Sequence, residues 1–213
     1  MSTLLQTTRQ SRGLLACGVI AGPIFVSTFL IQSVTRDGFD LGHHPISLLS
    51  LGDKGWIQIT NFILAGVLSL AFAAGVRRRI PYGKGVVWGP RLLTVYGLGL
   101  IAGGVFVADP GLGYPAGTPD GVAAELSWHG MLHAAAPPIA FLALIAACLV
   151  CARRFATDGE RVWASYSVTT AVVCLMLSAW PGIDGMSVRL AVAVTLGFAW
   201  QVAFAVRLLR TAR

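Results

Sequence analysis

Long apolar stretches, broken by short polar connectors, dominate the pattern along this chain. Six are long enough to cross a bilayer, at residues 14–32, 56–76, 92–108, 129–151, 162–180 and 188–206. A helix needs about 20 mostly apolar residues to span the hydrocarbon core. Leu, Ala, Val and Gly fill these stretches without the strict alternation of a membrane barrel. An unpaired backbone group is costly in lipid, so each stretch is expected to be a helix. The pattern predicts an all-α membrane protein, a six-transmembrane-helix bundle forming one integral membrane domain over residues 1–213.

Composition strengthens that reading. The chain is 55% hydrophobic and only 12% charged, where a soluble domain averages about 25% charged residues. The net charge of +7 reflects topology and does not call for a nucleic-acid partner. Of the sixteen Lys and Arg, all but Arg36, Lys54 and Arg189 fall in the tails and in the second and fourth connectors. The positive-inside rule then places both termini in the cytoplasm of a multi-pass cell-membrane protein whose partners are membrane lipids. All four histidines, and all nine acidic residues except Asp158 and Glu160, fall at the opposite, outer face.

The outer connectors are the elaborated ones. Residues 35–55 are long and polar, and residues 109–127 are rich in Gly and Pro. Long loops with particular turn chemistry tend to carry function. A weak internal repeat is also present. Gly18-Val-Ile-Ala-Gly-Pro-Ile-Phe-Val26 matches Gly99-Leu-Ile-Ala-Gly-Gly-Val-Phe-Val107 at six of nine positions. In each copy a tryptophan opens the next helix, Trp56 or Trp128, and a polar residue follows five positions later, Asn61 or His133. Helices 1–2 and 3–4 thus read as a tandem two-helix hairpin repeat, with chance similarity among small apolar residues as the alternative.

The candidate chemistry gathers at the outer face. His129 and His133 are four apart and share one helix face. That spacing offers two imidazoles to one metal such as zinc, with Asp109 and His44 the nearest further ligands by depth. The same residues fit a metal-free acid–base site, or histidines that only hydrogen-bond to a neighbouring helix. A histidine more than a turn inside an apolar span is expensive enough to need a purpose. Ser47 follows His43-His44-Pro45-Ile46. It reads as the cap of a short helix that Pro45 can begin, or as a hydroxyl beside the His/Asp cluster. The candidate catalytic residues are therefore Asp109, His133 and Ser47. Gln58, Asn61 and Arg189 are candidates to line the same pocket, with interhelical hydrogen bonds the alternative for Gln58 and Asn61. Arg189 has Asp184, Asp109 or a lipid head group as expected partners.

Two negatives narrow the field. No Asp, Glu, Lys or Arg lies near the middle of a span, which lowers the case for an ion-coupled transporter. Cys148-Leu-Val-Cys151 has metal or redox spacing, but no second pair completes a zinc site, so it reads as small apolar packing.

The run from His43 to Val76, with Phe106-Val-Ala-Asp-Pro110 and Trp128-His-Gly-Met-Leu-His133, resembles the bacterial membrane family called domain of unknown function 998. The resemblance covers nearly the whole chain. It implies a six-helix integral membrane protein and no established reaction. Its pattern falls on His44, Pro45, Ser47, Gly55, Trp56, Asn61, Asp109, His129 and His133. In site composition alone the chain is also similar to the membrane hydrolases that include alkaline ceramidases and adiponectin-receptor-like proteins, which set a Ser, an Asp and three His around zinc. Those have seven helices with the His-x-x-x-His on the last. Here it is on the fourth of six. The expected function is a His/Asp/Ser site at the outer face, as a hydrolase or isomerase acting on a lipid or other apolar substrate. A non-catalytic lipid-binding, sensory or assembly protein is the second reading, and a small-molecule transporter the third.

Overall fold

A computed structural model describes residues 2–123, 125–182 and 185–211. Its long elements are all helices: α1 (Ser2–Thr35), α2 (Gly55–Arg79), α3 (Trp88–Val105), α4 (Trp128–Thr157), α5 (Arg161–Ala179) and α6 (Met186–Arg210), with a short 3-10 helix at Ile46–Ser50. Each helix packs on its neighbour in sequence, and α6 closes against α1, so the bundle is a ring. The connector 36–54, the residues 106–123 after α3 and the start of α6 collect at one end with His129 and His133, called here the histidine end. At the other, basic end, Arg79 of α2 reaches Thr211 just after α6, and Arg154 of α4 reaches the connector 80–87 at Tyr82 and Lys84.

Five of these helices are long and apolar enough to cross a membrane. Large apolar side chains such as Ile31, Leu142, Val172 and Met176 remain exposed on the outside of the ring, as a lipid-facing surface requires. The chain is a multi-pass membrane protein. The helix outside that set is α3. It has 18 residues, about 27 Å at 1.5 Å per residue, against about 30 Å of hydrocarbon. The expected span 92–108 is displaced. Pro90 is accommodated in the first turn, where a missing N–H costs nothing, so the helix starts at Trp88. It stops at Val105, and Phe106 is extended at φ −94° and ψ 103°. Asp109 therefore stands in a loop instead of on the end of a helix.

Glycine lets α3 pack as closely as it does. A Cβ on Gly66 of α2 would lie 2.6 Å from the Gly97 carbonyl oxygen, and one on Gly97 would lie 3.0 Å from the Gly66 oxygen. Backbones in contact at this distance gain dispersion that larger residues would forbid.

Gly97→Val should destabilise the purified protein in detergent by about 1–3 kcal/mol. Gly89→Val, in the same helix with nothing within 4 Å of its Cβ position, should cost far less. Denaturant titration of the two variants compares them directly.

Candidate functional site

Where α3 ends, its chain continues extended alongside the start of α4. The carbonyls of this segment have left the helical ladder and need donors. His133 Nδ1 meets the Phe106 carbonyl oxygen at 2.7 Å, and His129 Nδ1 meets the Val107 oxygen at 2.9 Å. The four-residue spacing puts both rings on one face of α4. A carbonyl only accepts, so each Nδ1 carries a proton. In the neutral form of each ring, the lone pair is then on Nε2. The Gly103 carbonyl also lies near the His133 ring.

Asp109 does not hydrogen-bond to either histidine. Its Oδ2 accepts from the Ser127 backbone N–H at 2.8 Å, and its Oδ1 accepts from the Ser127 hydroxyl at 2.6 Å. Ser127 Oγ in turn accepts from the Gly130 N–H at 3.0 Å and caps α4. Asp109 Oδ1 lies 3.9 Å from His129 Nδ1, too far for a bond and with that proton already given to Val107. A Cβ on Gly130 would collide with the Asp109 carboxylate. The Ser127 hydroxyl, the Ser127 N–H and the nearby histidines hold the Asp109 carboxyl below its ordinary 3.8. The carboxylate also sits at the helix N-terminus, where negative charge is favoured.

His44 is a rivet between loops. Its Nδ1 accepts from the Asp40 N–H at 2.9 Å and its Nε2 donates to the Leu112 carbonyl at 2.9 Å. Both ring nitrogens are thus spent. Its ring packs against Phe39 and Tyr114. Arg36 donates to the Leu49 and Leu51 carbonyls, and Ser187 Oγ donates to the His43 carbonyl at 2.8 Å. These contacts fold residues 36–54 into a cap over the ring of helices. Among the described residues no three His, Cys, Asp or Glu are grouped to hold a metal. The expected set of His44, His129, His133 and Asp109 is not gathered, because each member is turned to a backbone or side-chain partner of its own. The donors do not fit a zinc ion.

Beneath the cap lies a cavity of about 90 Å³ with walls from α1, α2, α3, α4, α6 and the 3-10 helix. Phe25, Phe62, Leu100 and Leu144 make it apolar, and Ser47, Tyr96 and His133 are the polar side chains that border it. Neither hydroxyl makes a hydrogen bond among the described residues, and His133 Nε2 makes none. His133 is 6% exposed. Four residues on, Pro137 lines the same cavity and has no N–H to return to the His133 carbonyl. Helix α4 is therefore missing a backbone bond where it borders the cavity. Ser47 does not cap its helix; Pro45 holds the N-cap position.

The remaining candidates lie elsewhere. Asn61 Nδ2 donates to the Phe25 carbonyl at 3.1 Å and to Gln58 Oε1 at 3.2 Å. Gln32 Nε2 donates to the same Gln58 oxygen at 2.8 Å. These amides tie α1 to α2 and do not line the cavity. Arg189 donates to the Gly182 carbonyl at 2.7 Å and is not among the lining residues; Asp184 lies outside the described residues. Sequence reasoning missed Tyr96, Gln32 and Pro137. A hydroxyl near the middle of an apolar span and a Pro-Pro pair one turn after a histidine were the available signals. Cys148 and Cys151 are buried free thiols packed in α4.

The Asp109 carboxylate gives acid sensitivity with a definite sign. A carboxyl held below its ordinary value stabilises the fold above that value, and the contribution is lost as pH falls through the lower folded one. Thermal unfolding in detergent between about pH 5 and about pH 2 should show this loss. Asp109→Asn should flatten that limb and cost about 1 kcal/mol at neutral pH through the weakened Ser127 cap. An unchanged acid limb in the variant would remove Asp109 from this role.

No curated protein and no solved structure matches the chain. The family model described as "Protein of unknown function (DUF998)" matches residues 19–210, nearly the whole length, and the chain belongs to that family.

Proposed function

We propose that the cavity at the histidine end binds a short apolar segment of a lipid or other apolar molecule, with His133, Ser47 and Tyr96 presented to that molecule's polar part. The observation that carries this reading is an apolar chamber inside a membrane protein, bordered by three polar side chains with spare hydrogen-bonding capacity. An apolar cavity of about 150 Å³ stays dry and takes up a benzene-sized molecule; this one, at about 90 Å³, has room for a short apolar segment. The distribution of Lys and Arg supports a topology in which α3 also spans, both termini are cytoplasmic, and the cavity opens toward the outer leaflet.

A catalytic reading draws on the same chamber. In the neutral ring His133 Nε2 is the basic nitrogen, and Ser47 offers a hydroxyl from the 3-10 helix that borders the same cavity. A base must come within about 3 Å of the proton it takes, so hydrolysis or isomerisation needs a closer approach on substrate binding. Asp109 is committed to Ser127 and does not orient His133 as the third member of a triad. Binding is therefore the primary reading and catalysis the second.

The two hairpins also support a tandem repeat. Phe25 and Phe106 are equivalent positions in it, as are Asn61 and His133, and the same side chain-to-carbonyl bond joins each pair. The difference is that His133 has a second nitrogen.

Protein purified in mild detergent should retain about one apolar lipid per chain, read by native mass spectrometry and identified after extraction. Gly103→Leu places a side chain in the cavity, where a Cβ meets only Phe62 at 3.7 Å, and should abolish retention while the protein stays folded. Equal retention by the variant would refute the site.

His133→Asn and His133→Ala separate structure from chemistry. The asparagine keeps an N–H donor for Phe106, as Asn61 does for Phe25, and should preserve stability within about 1 kcal/mol, whereas alanine should cost about 1–3 kcal/mol. Any turnover of a bound lipid should vanish in both. Turnover that survives in His133→Asn would exclude His133 as the base.

A further inference from the structure

At the basic end, on the outside of the α2–α3 pair, the two helices enclose a groove of about 570 Å³. The pair is tightest at Gly66 and Gly97 and opens below that crossing. Leu70, Ala73 and Ala74 give the groove an apolar floor, and Arg77 from the last turn of α2 faces Arg91 from the first turn of α3. Ala74, Arg77, Arg91 and Thr94 are exposed, so the groove is open at the side, where lipid lies.

The charge balance at this end is uneven. Arg154 is spent on Asp158 and on the Tyr82 and Lys84 carbonyls. Arg207 pairs with Glu160, and Arg79 donates to the Thr211 carbonyl. Both acidic residues of this end thereby have partners. Arg77 and Arg91 have no ion pair among the described residues; Arg91 lies over the Trp88 ring at 5.7 Å. No acidic side chain lines the groove. Two uncompensated guanidinium groups thus stand at the water-facing end of an apolar trough.

We infer that this groove is a binding site for an anionic glycerophospholipid, with its phosphate between Arg77 and Arg91 and one acyl chain along Leu70, Ala73 and Ala74. Guanidinium groups match phosphate oxygens in geometry and charge. Basic pockets between membrane helices are suited to such head groups. The apolar floor selects a lipid over a free anion, because only a lipid fills both parts.

The test uses the full-length protein in mild detergent, titrated with phosphatidylglycerol or phosphatidylcholine and read by native mass spectrometry. The expected result is one phosphatidylglycerol retained in preference to phosphatidylcholine, weakened on the order of tenfold in Arg77→Gln/Arg91→Gln. Arg78→Gln, next in sequence but outside the groove, should be unchanged. Arg77→Lys/Arg91→Lys, which keeps the charge and loses the guanidinium geometry, should retain part of the preference. Gel-filtration and melting profiles matching wild type establish that the variants are folded. If the glutamine variant proves unfolded, the preference in the lysine variant decides. Equal retention of the two lipids, an unaffected glutamine variant, or a lysine variant without preference would overturn the inference. So would inorganic phosphate at millimolar concentration displacing the lipid completely, because it would assign the site to a free anion.

Discussion

A buried backbone carbonyl that leaves its helix must find a donor, and the histidine end is organised around two that do so. Helix α3 stops at Val105, and the carbonyls of the residues after it have left the helical ladder and need partners from elsewhere. α4 supplies the donors through His129 and His133, whose four-residue spacing matches the two acceptors. That arrangement fixes where α4 must begin. Ser127 caps it, Asp109 holds Ser127 by two hydrogen bonds, and Gly130 leaves room for the carboxylate. Each of these residues is explained by docking one extended segment against one helix start.

The same requirement recurs in the first hairpin with different chemistry. Asn61 reaches the Phe25 carbonyl as His133 reaches that of Phe106. An amide is enough for that structural work. An imidazole does it with Nδ1 and has a second nitrogen left, and only the imidazole borders the cavity. The choice of histidine over asparagine at this position is the strongest local sign that position 133 does more than pin two segments together.

The helices were legible in the sequence because apolar runs of their length have few other fates in a membrane. Their neighbourhoods were legible too: depth alone placed His44, Asp109, His129 and His133 at one end. Depth did not give partners. His44 was expected near the histidine pair as a ligand, but hydrogen bonds from Asp40 and to Leu112 consume its ring. Asp109 was a candidate ligand and catalytic group, and its carboxylate holds the Ser127 helix cap. The end of α3 was misplaced because Phe106-Val-Ala108 is apolar, and an apolar run reads the same in helical and extended form. Tyr96 stayed hidden because nothing in the sequence says which face of α3 borders an internal cavity.

The short, glycine-rich α3 connects the two ends of the molecule. Gly97 allows α2 to approach backbone to backbone, and this contact acts as a fulcrum between two openings. On one side, Tyr96, Leu100 and Gly103 border the cavity of the histidine end. Toward the basic end, Pro90, Arg91 and Thr94 border the lateral groove. A longer or bulkier helix would close both. It would carry Phe106 and Val107 on into the helical ladder and leave the histidines of α4 without acceptors. It would also push α2 and α3 apart at their crossing. The features that make α3 the least convincing membrane span by composition are thus the ones that create the cavity, the groove and the histidine contacts together.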